Sequence, residues 1–272
     1  MHPALRSAAL AAALLTGAAL TSCSTSDDSS TLRIAASSTP HAEILHHAEE
    51  AGMLGDTHLD VSIMSRAAEG NIAVSNGSLD LNYLQHTPYF DDWVAESDVD
   101  NLANLGDVHL EPQSIYSRDL KSVDEIPDGA QILVPQSGSD YARALLILED
   151  AGLITLDKTG VANPSSLTDA NISENPKNLK ITGVEDDVVP HAMEDPDVDA
   201  AVMSSNYALQ ADIIDLAIFT ESAENSPYGN IVVASTDTAD SPEVAELMTA
   251  LQSPEMAEWI REEYDGVVIP TH

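Results

Sequence analysis

The residues with most chemistry to offer crowd into one stretch, Asn82 to Trp93, which reads N-Y-L-Q-H-T-P-Y-F-D-D-W. The chain is poor in rings, with 7 tyrosines, 2 phenylalanines and 2 tryptophans in 272 residues. Tyr83, Tyr89, Phe90 and Trp93 nevertheless gather here, beside His86 and Pro88. Such a cluster suits three tasks: packing, metal ligation, or the wall of a pocket for a small organic ligand. Metal ligation needs three or four converging ligands of defined geometry. The chain has 9 histidines, with His41, Glu43, His46 and His47 close together, but no H-x-H and no His-rich acidic loop. Metal ligation is thus an alternative reading of these residues, and no metal or cofactor is expected. Catalysis finds no support either. There is no G-x-S-x-G, no G-x-x-x-x-G-K and no H-E-x-x-H, the patterns that would mark a nucleophile elbow, a phosphate loop or a zinc protease.

The elements around these residues alternate. L-R-I-A-A-S (32–37), H-L-D-V-S-I-M (58–64) and L-D-L-N-Y-L (79–84) read as strands, with helical spacing between them. The rhythm restarts with a strand at 130–135, a helix over S-G-S-D-Y-A-R-A-L-L-I-L-E-D-A-G-L-I capped by Ser137 or Ser139 and ended by Gly152, and strands at 178–184, 198–203 and 231–234. Two closing helices each open on S-P-E, at Ser241 and Ser253, where serine caps, proline takes the first position and glutamate meets the positive end of the dipole. This is the pattern of α/β lobes with mostly parallel sheets and flanking helices. Ligands of such sheets sit at the carboxyl ends of strands. Asn82, Tyr83 and His86 lie at one such end, and Asn206 and Tyr207 at another, so an inter-lobe cleft would bring them together.

Composition bounds the partners. The formal net charge is -36, from 46 acidic and 10 basic residues. Such a surface repels nucleic acid and anionic lipid headgroups. Residues 1–22 read as a secretory signal peptide, one basic residue followed by an apolar, Ala-rich run. Leu20 to Cys23, L-T-S-C, resembles a bacterial lipobox, in which the cysteine becomes the first mature residue and carries lipid. Cys23 is the single cysteine, so no internal disulfide is expected. The Ser- and Asp-rich residues 23–31 read as a tether.

Seven segments then occur in order: P-H-A-E-I-L (40–45), L-D-L-N-Y-L-Q-H-T-P-Y (79–89), L-K-S-V-D-E-I-P-D-G-A (120–130), R-A-L-L-I-L-E-D-A-G-L-I (143–154), E-N-P-K-N-L-K (174–180), V-D-A-A-V-M-S-S-N-Y-A (198–208) and S-P-Y-G-N-I (226–231). Together they resemble the NlpA lipoprotein family, which includes methionine-binding lipoproteins of bacterial ABC importers. The resemblance implies a two-lobed, type II periplasmic-binding-protein fold without enzymatic activity. Lobe 1 would hold 32–113 and 228–272, and lobe 2 would hold 114–227. It implies a monomer outside the cytoplasm, lipid-anchored to the membrane, that delivers an amino acid to a permease driven by an ATPase. The alternatives are a metal-binding importer lipoprotein and a transporter-free amino-acid-sensing lipoprotein.

The same resemblance assigns roles. His86 and Tyr89 would border the ligand side chain, Arg143 would bind its α-carboxylate, and Asn206 and Asn230 would hold the carboxylate and ammonium. Three departures bear on the ligand. Ala67 and Leu84 stand where relatives usually carry aromatic residues, and Q-S-G-S-D-Y replaces the usual loop before the arginine helix. Tyr83 or Tyr141 would have to supply a compensating ring. Methionine, its sulfoxide, its D-isomer, a small peptide or another apolar amino acid all remain open as ligand.

Overall fold

The computed structural model describes residues 31–136 and 138–272. The expected signal peptide, the lipidated Cys23, most of the tether and the candidate cap Ser137 lie outside the described residues.

The chain builds one lobe, leaves it, and returns. The first lobe opens with β1 (Thr31–Ala36), α1 (Glu43–Glu50), β2 (His58–Ile63), α2 (Ala67–Ser75), β3 (Leu81–His86), α3 (Thr87–Glu96) and β4 (Leu102–Leu110). The second contains β5 (Gln113–Tyr116), β6 (Gln131–Pro135), α4 (Gly138–Asp150), a hairpin of β7 (Thr155–Leu156) and β8 (Ile172–Glu174), then β9 (Lys180–Val184), α5 (Val189–Ala192), β10 (Ala200–Ser204), α6 (Ser205–Gln210) and β11 (Ala217–Thr220). The return adds β12 (Gly229–Ser235), α7 (Pro242–Leu251), α8 (Pro254–Tyr264) and β13 (Ile269–Pro270) to the first lobe. The first sheet runs β13-β4-β12-β3-β1-β2 and the second β11-β5-β10-β6-β9.

Both sheets are mixed, which corrects the expectation of mostly parallel ones. Where a helix links two strands the pairing is parallel, as in β1 with β2 and β3, because a parallel step needs a crossover. The strands at the lobe crossings, β4, β5, β11 and β12, pair antiparallel with their neighbours.

Each lobe has its own core. In the first, Ile34 of β1, Ile44 and Leu45 of α1, Leu81 and Tyr83 of β3, Leu247 of α7 and Ile260 of α8 are buried together. In the second, alternation divides β6: Ile132 and Val134 pack with Leu145 and Leu148 of α4, while Leu133 packs on the opposite face with Val189 and Met203. Phe90 of α3 seals the other face of the first sheet against Ile231 and Val233.

Helix ends follow local chemistry. Ser241 Oγ accepts from the Val244 N–H at 3.3 Å and Ser253 Oγ from the Met256 N–H at 3.1 Å, each with proline in the first turn. Gly152, at φ 73°, ends α4, with its N–H donating to the Glu149 carbonyl and the Leu153 N–H to the Leu148 carbonyl. Ser139 falls inside α4 rather than before it, so it is not the cap.

A buried amide ladder ties α2 to β3. Asn82 Nδ2 donates to the Ala67 carbonyl and Asn71 Oδ1, and Gln85 Nε2 donates to the same oxygen. Asn82 is therefore spent on the scaffold rather than exposed at the strand end. Gly70 lets it approach, since a Cβ there would lie 2.6 Å from the Asn82 carboxamide. Gly70→Ala is expected to cost about 1–3 kcal/mol through overpacking. Urea unfolding checks this, and an unchanged midpoint would show that the ladder yields freely.

Candidate functional site

The carboxyl ends of β2, β3, β6, β9 and β10 converge on one cavity of about 400 Å³. His86 and Tyr89 line it from the first lobe, and Gln113, Asn206 and Tyr207 from the second. Asn230, paired with His86 in the first sheet, completes the wall. Four of the residues expected at the ligand, His86, Tyr89, Asn206 and Asn230, thus share one cavity.

His86 is fixed by its place at the start of α3. The Tyr89 N–H donates to His86 Nδ1 at 3.1 Å, so Nδ1 is the acceptor and Nε2 carries the ring proton. Nε2 then donates to Asp140 Oδ1 at 3.0 Å, across the cleft to the first turn of α4. Asp140 also accepts from Gln113 Nε2 at 3.2 Å. Two further contacts join the lobes: Arg66 Nε lies 3.5 Å from Asp187 Oδ2, and Gln210 Nε2 donates to the Thr39 carbonyl at 3.0 Å. The lobes are closed on each other. Burial, with Asp186 and Asp140 near, pushes the Tyr89 hydroxyl up to about 12, so it stays a neutral donor.

The cavity's polarity is one-sided. Among the described residues lining it, Glu111, Asp140, Glu185, Asp186 and Asp187 stand against Arg66 as the sole Lys or Arg. Gln113 Oε1 and Asn206 Oδ1, in residues that are 0% and 6% exposed, have no hydrogen-bond partner among the described residues. An unpaired buried acceptor costs about 1–3 kcal/mol. Two of them at one cavity form a receptor for N–H donors.

Arg143 does not line the cavity. It is buried behind it, 1% exposed, with Nε 3.1 and 3.2 Å from the two Glu221 oxygens and Nη2 bonded to Glu221 as well. Nη2 also donates to the Glu111 carbonyl at 2.8 Å, and the guanidinium carbon lies 4.1 Å from the centre of the Tyr228 ring. The Gln113 N–H holds the same Glu221 carboxylate at 2.9 Å. Glu221, just past β11, meets the fork that the resemblance assigns to a ligand carboxylate.

Tyr83 is corrected likewise. It is fully buried in the first core and its hydroxyl bonds to His109 Nδ1 at 2.5 Å, so it supplies no ring to the cavity. Tyr141 donates to Asp169 instead. Ala67 and Leu84, the two positions lacking rings, do line the cavity, and Tyr207 lines it too.

Behind Asn230 lies a polar brace. His41 Nε2 is 3.1 Å from Asn230 Oδ1, and its Nδ1 is 2.7 Å from Ser37 Oγ and 3.5 Å from Glu111 Oε1. His109 Nε2 is 3.1 Å from that same Glu111 oxygen. The three ligating atoms of His41, His109 and Glu111 lie within 4.8 Å of one another, a donor set a metal could use. Each is already engaged by hydrogen bonds, and Tyr83, Ser37 and Asn230 close the network. Burial lowers His41 from 6.5 to about 4 and His109 to about 3, and raises the Glu111 carboxyl, so the contacts join neutral rings rather than ion pairs. The His41, Glu43, His46, His47 run does not converge: Glu43 accepts from Thr39 and Tyr264, and His47 stacks on Trp259 at 4.1 Å.

Comparison with known proteins matches residues 32–272 to the model described as NlpA lipoprotein. The chain belongs to the NlpA lipoprotein family. Among relatives of this NlpA chain is the methionine-binding lipoprotein MetQ of Bacillus subtilis, 38% identical over 239 residues, covering 87% of this chain and 86% of that protein. The D-methionine-binding lipoprotein MetQ of Escherichia coli K12 is 36% identical over 198 residues, 72% of this chain and 71% of that one. In structure, a putative methionine-binding lipoprotein of Bacillus subtilis superposes with a TM-score of 0.83 at 37% identity, covering 89% of this chain and 98% of the other. A nutrient binding protein from Burkholderia cenocepacia, bound to methionine, gives 0.81 at 31% identity, covering 89% and 100%. The NlpA chain therefore has a two-lobed periplasmic-binding-protein fold. Among its described residues no helix is long and apolar enough to cross a membrane.

Glu111, Gln113, Asp140 and Arg66 were missed as site residues. Glu111 lies in the crossing from β4 to β5 and Gln113 opens β5, a stretch that carries no motif. Asp140 sits openly in Q-S-G-S-D-Y, but one carboxylate among 46 acidic residues gives no signal.

Proposed function

We propose that this chain is the substrate-binding lipoprotein of an ABC importer and binds methionine or a close analogue between its lobes. The observation that carries this is a cavity walled by both lobes in which two buried carbonyl oxygens, Gln113 Oε1 and Asn206 Oδ1, lack donors. An α-ammonium group supplies N–H donors to them, with carboxylates of the same wall adding charge attraction. The rings of His86, Tyr89 and Tyr207 offer a polarisable surface to a thioether, each contact contributing about 0.3–1.5 kcal/mol. The volume suits a single amino acid. Names and ligands of the relatives support the same reading.

Ligand that touches both lobes binds the closed form better and shifts the population toward it. A permease would then recognise the closed shape, while lipid on Cys23 holds the monomer at the outer side of the membrane. No catalytic step is part of this role.

Calorimetry with L-methionine, D-methionine and methionine sulfoxide tests the reading. Gln113→Ala is expected to weaken the best of these by about tenfold or more, since it removes an acceptor for the ammonium. Equal affinity in parent and variant would remove Gln113 from the site, and no binding of any amino acid would end the proposal.

A further inference from the structure

We infer that His41, which lies outside the cavity, is a positioning residue for the ligand: its ring fixes which way the Asn230 amide faces, so that Nδ2 and not Oδ1 is presented to the bound molecule. The inference rests on the binding reading above and adds a residue to that site.

The backbone of Asn230 pairs with His86 on β3 and with His109 on β4. That pairing fixes the main chain and leaves the amide free to turn over, because its oxygen and nitrogen ends have nearly the same shape. The two orientations differ in chemistry. One offers the cavity a donor and the other an acceptor. Gln113 Oε1 and Asn206 Oδ1 already supply acceptors on this wall. An oxygen of the ligand carboxylate needs an N–H, so the turn of this one amide bears on how tightly the ligand is held.

His41 sets that turn. Its Nε2 lies 3.1 Å from Asn230 Oδ1, an atom that only accepts, so Nε2 carries the ring proton. Edge contacts with Tyr83 at 4.7 Å and His109 at 4.8 Å hold the plane of the ring. On its other side Ser37 Oγ, 2.7 Å from Nδ1, is placed to donate, although the Thr39 carbonyl at 3.0 Å competes for the same hydrogen. Glu111 Oε1 is 3.5 Å from Nδ1 but accepts from His109 Nε2 at 3.1 Å, and the Tyr83 hydroxyl bonds the remaining nitrogen of that ring. Glu111 is thus served by His109, and the proton of His41 stays aimed at Asn230. The His41 side chain is 1% exposed, so water cannot stand in for it.

Calorimetry with L-methionine, run beside urea unfolding of each variant, tests this. His41→Leu keeps the bulk and removes the donor, and is expected to weaken binding about tenfold. His41→Gln restores an N–H toward Asn230 and is expected to stay within about threefold of the parent. In an Asn230→Ala background, His41→Leu is expected to add less than about twofold, because its effect passes through the amide already removed. A packing role alone would lower the unfolding midpoint and leave the affinity of the folded protein unchanged. Long-range proton–nitrogen NMR on the parent reads the ring without any substitution, so the test survives a variant that does not fold; a proton on Nε2 is expected. A bare Nε2, a loss under about threefold in His41→Leu, an equal loss in His41→Gln, or a further loss of about tenfold in the Asn230→Ala background would each overturn this inference and leave the binding reading intact. No binding of any amino acid by the parent overturns both.

Discussion

Arg143→Ala is expected to destabilise the folded protein by about 3–5 kcal/mol, the cost of leaving a buried carboxylate without its cation. The side chains of Arg143 and Glu221 are 1% and 10% exposed, so water cannot replace the lost partner. The Glu111 carbonyl and the Tyr228 face lose their contacts in the same step. Glu221→Ala should cost a similar amount by stranding the guanidinium. Replacing the pair together, Arg143→Met with Glu221→Leu, is expected to recover most of the loss, because two apolar side chains avoid the desolvation that the ion pair must overcome. A double-mutant cycle by urea unfolding measures the coupling. If Arg143→Ala unfolds within about 1 kcal/mol of the parent, the pair is not the brace described here. The resemblance alone implies that the same substitution leaves the fold intact and strips affinity. The ion pair moves its main effect to stability.

What the sequence reveals depends on how local the determining contact is. The serines opening α7 and α8 each cap within three residues, and S-P-E announces them. Strands β1, β3, β6 and β10 are short and apolar and lie between helical segments, so their periodicity is readable. Strand β4, L-A-N-L-G-D-V-H-L, mixes polar residues with Gly106 and gives no alternation. It becomes a strand through β12 and β13, which come from the far end of the chain. Strands β5 and β11 are four residues each and owe their order to pairing across about a hundred positions.

The cavity follows the same rule. His86 and Tyr89 stand in one dense motif, and Asn206 and Asn230 in two others. Gln113 has no motif because its value comes from an oxygen left unpaired after folding. The partner of Arg143 is 78 residues away, and no spacing rule singles out Glu221 in so acidic a chain. The ring count of the stretch from Asn82 to Trp93 also overstates its share of the site. Tyr83 and Phe90 go to opposite cores, because side chains on one strand alternate and a helix turns them away.

Acid is expected to unfold this protein along a slope set by two buried histidines. His41 is held down to about 4 and His109 to about 3 by burial, against 6.5 for an ordinary imidazole. Between pH 6.5 and about 4 the unfolded chain therefore takes up two protons that the folded protein refuses. Stability falls as the pH falls through that window, by about 1.4 kcal/mol per pH unit for each histidine fully titrating. Two effects oppose it. Burial raises the Glu111 carboxyl, so the folded form gains that proton first and is favoured as acid is added. Relief of the repulsion within a chain of formal charge -36 acts in the same direction. The histidine contribution is therefore read by difference. His109→Gln should flatten the dependence of unfolding free energy on pH by about 1.4 kcal/mol per unit between pH 6 and 5, and His41→Gln should do the same. The two rings cannot both charge in place, since their centroids lie 4.8 Å apart and the protons would repel. Variants that keep the parent's slope would mean that the rings already share a proton with Glu111 in the folded state. The brace behind Asn230 would then be ionic, and its hold on the cavity wall would tighten in acid instead of failing.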